Sequence, residues 1–467
     1  MQTSVIDITD FFAGDTPALS GLSTATRRTY GVQRFDQPRS FISDIRSFPT
    51  NVEVRHVQTF AATEAPGDRS SGSVSLEMRQ SLVLLPKEPM TPRVFDPRVG
   101  YFSVERVNYG LDVPKAETET FIVRWRLEPK DRAAYARGEI VEPIKPIVYY
   151  IDPATPLKWR RFVKEGVEEW QKVFEKAGFK HAILARDPPT KAEDPDWDPD
   201  DARVSMVRWA ASLVRNAVGP HTSDPRTGEI LESDIQLHQN LMNLVRDWYV
   251  VQVGALDPRA RHLPLPDDLM GRLVQMVVTH EVGHTLGLQH NLKASAMYPA
   301  AKMRDKVWVK TMGFTPSIMD YARMNYVAQP EDGFAPDDLI PRIGPYDTWA
   351  IKWGYSPVAN AADADAEKST LDTWARQQDQ TPYLRFSTSG GAGDPGNNTD
   401  PKDMSSLRRV QNYISNLQAP KYPLPVDAEL HHHAADFRPG RSLVDDEIRD
   451  DMAGAVLGHD GACAAGC

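Results

Sequence analysis

The chain has almost no cysteine, no long apolar stretch and no surplus of positive charge. Cys463 and Cys467 are its only cysteines, set in a tail of Gly and Ala. A disulfide framework and a thiolate metal cage are thereby excluded, and the pair reads as a local disulfide or two stray thiols. No apolar run approaches 18 residues, so no membrane-spanning helix is expected. A net charge of −10 leaves no basic stripe to neutralise phosphates, which argues against nucleic acid as a partner. The opening residues Met1 to Asp7 lack a charged segment followed by an apolar one, so no export signal is expected in the chain as written. What is present, 41% hydrophobic and 25% charged residues over 467 positions, is the balance of a globular chain with two or three domains.

The most informative stretch is His280-Glu281-Val282-Gly283-His284-Thr285-Leu286-Gly287-Leu288-Gln289-His290, which reads HExxHxxGxxH, the extended zinc-protease signature. Its spacing has a geometric meaning. His280 and His284 lie one helical turn apart, about 6 Å along the axis, so both imidazoles leave one face and can grip one ion. Glu281 projects from the neighbouring face. Gly287 stands where the helix must end, because a residue without Cβ enters the left-handed conformation cheaply and swings the chain back, bringing His290 in as a third nitrogen. In a shuffled chain of this composition the short HExxH would arise roughly once in 50 cases, the long form on the order of once in 10⁴ to 10⁵. Three neutral histidines leave Zn2+ with its full charge and one open position, and Glu281 is then placed to take a proton from water and return it to a leaving group.

Along the rest of the chain, residues 1–143 read as a β-rich N-terminal domain. Val74, Leu76, Met78, Gln80, Leu82 and Leu84 alternate with mostly polar neighbours, as do Phe121, Val123, Trp125 and Leu127, a period of two that marks half-buried strands. Arg124 and Arg126 fall on the outward side of the second run, a solvated face that could otherwise take an anion. From Pro143 the pattern changes. Ile147 to Ile151 reads as a strand; Thr155-Pro156 opens a helix carrying Phe162, Val163, Val167, Trp170, Val173, Phe174 and Ala177, which Gly178 ends. Strands are expected at Ala182 to Ala185 and Val204 to Trp209. The acidic loop Asp194 to Asp201 raises the question of structural Ca2+, but Pro199 and Ser205 stand where an EF-hand needs Gly and Glu, and a solvated loop is the simpler reading. In the run Glu229 to His238, Ile235 and Leu237 alternate with polar residues as an edge strand would. His221 and His238 nearby read as structural histidines. Pro266-Asp267-Asp268 caps a helix through Leu269, Leu273, Met276 and Val277 to His280. Asp347 to Tyr355 and Ser406 to Gln418 have helical spacing, 387–403 is loop-like, and the end, with His431-His432-His433, is irregular.

Ser317-Ile318-Met319-Asp320-Tyr321 resembles the Met-turn of the metzincin clan of zinc proteases. With the long signature and the strand, helix, strand, strand order before it, the chain resembles a bacterial metzincin, most similar to the exported zinc-dependent metalloproteases that carry a Met-zincin domain behind a β-rich N-terminal region. The resemblance runs from about residue 1 to 355. It implies an α+β fold: a metzincin-like catalytic domain at 144–330, with a twisted mixed sheet over the active-site helix, behind the domain at 1–143. A helical and looped extension at 331–418 and an irregular tail at 419–467 would follow. It implies one catalytic Zn2+ on His280, His284 and His290, Met319 as a polarisable floor beneath it, and Tyr321 near the metal to steady an oxyanion. It also implies an extended protein or peptide substrate beside Ile235 and Leu237, an extracytoplasmic location, and endopeptidase activity. With no cysteine before the zinc helix, latency by a thiolate on zinc from the N-terminal part is excluded. Asn291 departs from the residue that follows the third histidine in the best-known subfamilies. The rival classes are a metallohydrolase acting on something other than peptide bonds and a catalytically silent protein that keeps the fold.

Overall fold

The structure, a computed structural model, describes residues 5–388 apart from 17–18, 68, 111 and 113. The expectations for Ser406 to Gln418, for His431 to His433, for the two cysteines and for the tail lie outside the described residues, as does all of the 387–403 loop but its first two positions.

The chain forms two compact units. The first comprises residues 1–87 with 190–204. Short helices α1 (Thr9–Ala13) and α2 (Thr24–Thr29) accompany a sheet of β1 (Val32–Phe35), β2 (Phe41–Ser47), β3 (Asn51–Ala62) and β4 (Ser73–Val83). The long β3 pairs with β4 along one side and with β2 and β1 on the other, all antiparallel. Leu22, Phe60, Ala62, Ala65 and Val74 fill its core. β4 is the strand that the period of two predicted.

The acidic loop belongs to this unit; Asp194 to Asp196 are exposed, as a solvated loop requires, whereas Asp198 to Asp201 turn inward and are held by the sheet. Asp198 pairs with Arg46 at 2.9 Å, Asp200 pairs with Arg46 and Arg79, and Asn51 fixes the loop backbone at Asp200 and Ala202. The sequence shows the carboxylates; it does not show that Arg46 on β2, Arg55 on β3 and Arg79 on β4 point at them.

The second unit comprises 88–189 and 205–467, so the break falls near residue 87 instead of 143. Residues 88–143 are threaded into the part that carries the three histidines: Phe102 N–H donates to Gly287 O at 2.8 Å, Gln289 N–H to Gly100 O at 2.8 Å, and the Tyr101 hydroxyl to Ala350 O at 3.0 Å. In chain order come β5 (Ser103–Asn108), β6 (Glu117–Ile122), β7 (Arg124–Trp125), α3 (Arg132–Ala136), β8 (Ile147–Ile151), α4 (Leu157–Glu168), α5 (Gln171–Lys176), β9 (Ile183–Arg186), β10 (Ser205–Ala210), β11 (Ala217–Val218), β12 (Thr222–Ser223), β13 (Glu229–Glu232), β14 (Ile235–His238), α6 (Leu241–Val253) and α7 (Asp267–Thr285). The central sheet runs β11-β14-β10-β8-β9, parallel except for the antiparallel edge β11. This is the mixed sheet with an active-site helix that the resemblance implied.

Two expectations are corrected. Arg124 does not face water: residues 121–124 are covered on both sides, and its buried guanidinium donates to Thr91 O at 3.2 Å. Alternation marks strand residues but does not reveal that a strand is sandwiched. Ile235 and Leu237 are not at an edge, because β14 is paired with β10 on one side and β11 on the other, and both side chains are buried. The expected ten-residue strand is two, broken at Ser233-Asp234, and the edge is Ala217-Val218.

Helices α4 and α7 pack closely. A Cβ on Gly271 would lie 2.1 Å from the Phe162 ring and one on Gly166 2.8 Å from Val278, so two missing side chains let the helices approach. Aromatic side chains then pin the end of α7. Trp170 Nε1 donates to Thr279 O at 2.9 Å, Trp125 Nε1 to Thr285 O at 2.8 Å, the Tyr149 hydroxyl meets Thr285 Oγ1 at 2.7 Å, and the Tyr355 hydroxyl donates to Leu286 O at 2.9 Å.

Candidate metal centre

His280 and His284 stand on the last turns of α7, which stops as its sequence requires. Gly287 has φ +94°; its N–H donates to His284 O at 2.9 Å and that of Leu288 to Gly283 O at 3.1 Å, the paired bonds of a Schellman motif. A Cβ at Gly287 would lie 2.0 Å from Val123 O. The chain then doubles back and delivers His290.

The three rings converge. Nε2 of His290 lies 3.2 Å from Nε2 of His280 and 3.0 Å from Nε2 of His284. Meanwhile Nδ1 of His280 faces Ile318 O at 2.7 Å and Nδ1 of His284 faces Leu288 O at 2.8 Å. A carbonyl can only accept, so both Nδ1 atoms carry the proton and both Nε2 atoms present lone pairs. A single proton on His290 Nε2 could satisfy only one of them. Ligands 2.0–2.1 Å from a tetrahedral zinc are about 3.3 Å apart, close to the spacings found. The donor set therefore fits Zn2+. Burial drives His280 down to about 4, with the Arg323 charge acting the same way, so the ring is neutral at pH 7 as a ligand must be.

Glu281 is 7% exposed, and burial pushes its carboxyl up to about 8. Tyr321 sits beside the triad, its ring 4.3 Å from that of His290 and 6.0 Å from that of His280, nearly parallel to the latter at 19°. Burial raises its phenol to about 12, helped by the Glu281 charge and opposed by Arg323. Met319 is fully buried beneath α7, where a Cβ on Gly283 would meet its sulfur at 2.2 Å. Phe102 flanks the other side, 6.0 Å from the His284 ring and 5.5 Å from His221. His221 stays outside the triad; burial lowers it to about 4, and its Nδ1 has no hydrogen-bond partner among the described residues. His238 pairs with Ser212 Oγ at 2.8 Å. The edge strand β11 runs into Gly219, where a Cβ would lie 2.6 Å from Glu281 O, so the sheet edge passes directly over the turn of α7 that carries Glu281.

Three residues support the site in roles that the sequence reading did not assign to them. Asp347 is buried at the start of helix Pro345–Tyr355 and accepts from Ile318 N at 2.8 Å, Ser317 Oγ at 2.6 Å and Gly344 N at 2.8 Å. It fixes the turn whose Ile318 carbonyl orients His280. The signal was present as Gly344-Pro345 followed by Asp347, an acidic residue in a proline-led first turn. Asn291 is buried, donating to Arg385 O at 3.1 Å and accepting from Ser387 N at 3.2 Å, while its own N–H donates to Met319 O at 2.8 Å. The departure noted at this position thus ties a later segment to the site. Arg323, the third, has no sequence signal.

Residues 262–421 match the family model described as Met-zincin, and residues 1–130 match one described as a domain of unknown function (DUF5117). No curated protein and no solved structure matches the chain.

Proposed function

With a Met-zincin domain of the metzincin clan spanning residues 262–421, we propose that the chain is a zinc-dependent endopeptidase. The reading is carried by one observation: the Nε2 atoms of His280, His284 and His290 face one another with the first two rings oriented by carbonyls. When bound, Zn2+ supplies Lewis-acid chemistry, polarising a carbonyl and making water acidic near neutral pH. The protein groups do the rest. His280, His284 and His290 hold the metal; beside a dication the Glu281 carboxyl is drawn back toward the carboxylate despite its burial. Glu281 takes the water proton and returns it to the departing amine. Tyr321, its phenol protonated at neutral pH, donates to the oxygen that gains charge.

The substrate strand is assigned to the free edge of β11 at Ala217-Val218, where main-chain pairing would lay a peptide across the Glu281 turn. By the same resemblance the protein works outside the cytoplasm.

The test pairs metal analysis with product mapping on a peptide library, using the wild type and Glu281→Gln. One zinc per chain in both, with internal peptide-bond cleavage reduced about 10²- to 10⁴-fold in the variant, is expected. Equal cleavage by the variant, or zinc without cleavage by the wild type, contradicts the proposal.

A further inference from the structure

Two residues after Tyr321 the backbone adopts a conformation that its side chain makes unfavourable. Arg323 has φ +59°, the left-handed region that a residue with a Cβ occupies only when its surroundings hold it there. The surroundings are visible. The Arg323 guanidinium carbon lies 3.7 Å from the ring centroid of Trp248 on α6 and 5.4 Å from that of Tyr321. The next residue, Met324, donates its N–H to Gln252 Oε1 at 3.0 Å, one turn further along the same helix. Helix α6 thus grips the chain at two successive residues just beyond Tyr321. Tyr321 in turn lies against the imidazoles of His290 and His280.

We propose that Arg323 is a positioning residue: bridging the indole of Trp248 and the phenol of Tyr321, it sets the Tyr321 ring over the metal-binding histidines. The inference deepens the function proposed above and rests on Tyr321 acting there. A guanidinium suits the task. It is planar and cationic, it attracts ring faces on both sides, and stacking leaves its in-plane N–H groups for other bonds. A residue serving only to pack the turn would not need to be charged, nor to hold a strained backbone.

Arg323→Gly separates the two roles, since glycine accepts the positive φ but offers no guanidinium. Nitration of Tyr321 by tetranitromethane, followed by peptide mapping, reads how firmly that ring is held and requires no turnover. Arg323→Gly and Trp248→Ala should each raise Tyr321 nitration several-fold while other tyrosines keep their rates. Arg323→Lys should fall between wild type and Arg323→Gly, because an ammonium keeps the charge but cannot stack on two rings at once. On a peptide substrate Arg323→Gly should lower kcat about 10- to 100-fold with KM little changed. It should cause no further loss in a Tyr321→Phe background. Unchanged Tyr321 nitration in Arg323→Gly, or a kcat loss that persists undiminished beside Tyr321→Phe, overturns the proposal. If the wild type cleaves no peptide, only the peptidase reading fails, and nitration still decides the role of Arg323.

Discussion

Two of the metal-binding rings, His280 and His284, owe their direction to a backbone carbonyl, and the more consequential of these belongs to His280. Its Nδ1 is held by Ile318 O, and the Ile318 peptide is held by the buried Asp347 carboxylate. Two links therefore join a helix of the C-terminal part to a ligand. Replacing Asp347 with Ala leaves the Ser317 hydroxyl and the N–H groups of Ile318 and Gly344 without their acceptor. That should cost about 2–4 kcal/mol of stability and about 10- to 100-fold in zinc affinity, the usual penalty for losing an outer-sphere support. Competition with a zinc-binding dye checks the affinity. An Asp347→Ala variant with wild-type zinc affinity would show that the Met319 turn keeps its place unaided. The ligands themselves were legible because their spacing encodes geometry within one helix and one turn. Asp347 was not, because what makes it important is a partner 29 positions away.

Helix α7 combines a stripe that buries Leu269, Leu273, Val277 and Val278 with an end fixed by Gly287. Start, stripe and stop are local properties and their positions were read from the sequence, although no side chain caps the start and Met276 of the expected stripe is only partly buried, with Val278 inside instead. Gly287→Ala tests the stop. The left-handed conformation costs a Cβ-bearing residue about 1–2 kcal/mol, and the added methyl would also press on Val123 O, where no flexible side chain can yield. A loss of more than about 2 kcal/mol is expected, together with weakened zinc binding because His290 follows the turn. Denaturant unfolding and zinc titration measure the two. The sheet was read less well for a physical reason. The alternation of Ile235 and Leu237 reports that one face is buried, which is true of a central strand as much as of an edge. Helix α6 was not foreseen, and Trp248 and Gln252, which reach the turn after Tyr321, came with it.

At the scale of the whole chain, the two units interrupt each other in sequence: 190–204 belongs with 1–87, and 88–189 belongs with the unit that carries the three histidines. Composition changes gradually across such crossings, so a boundary at 143 was the natural reading. The acid limb of global stability should follow the carboxylates whose pKa the fold depresses. Asp257 is fully enclosed. Burial alone would raise it, but the Arg259 guanidinium and the Tyr249 hydroxyl, 2.6 Å away, outweigh that and bring it below 3.8. A carboxyl whose folded pKa is depressed adds stability above its unfolded value of about 3.9, and that contribution is lost as pH falls through the folded pKa. Thermal unfolding of the wild type should therefore lose stability below about pH 4, and Asp257→Asn should be less stable at pH 7 with a shallower acid limb. Parallel curves for the two proteins would contradict this. Most direct of all is X-ray absorption at the zinc edge on the whole protein, compared with His284→Ala. Three imidazole nitrogens and one water oxygen at about 2.0–2.1 Å, with one zinc per chain that the variant cannot retain, is the expected result. Zinc held equally well without His284, or a first shell lacking three imidazoles, would contradict the centre described here.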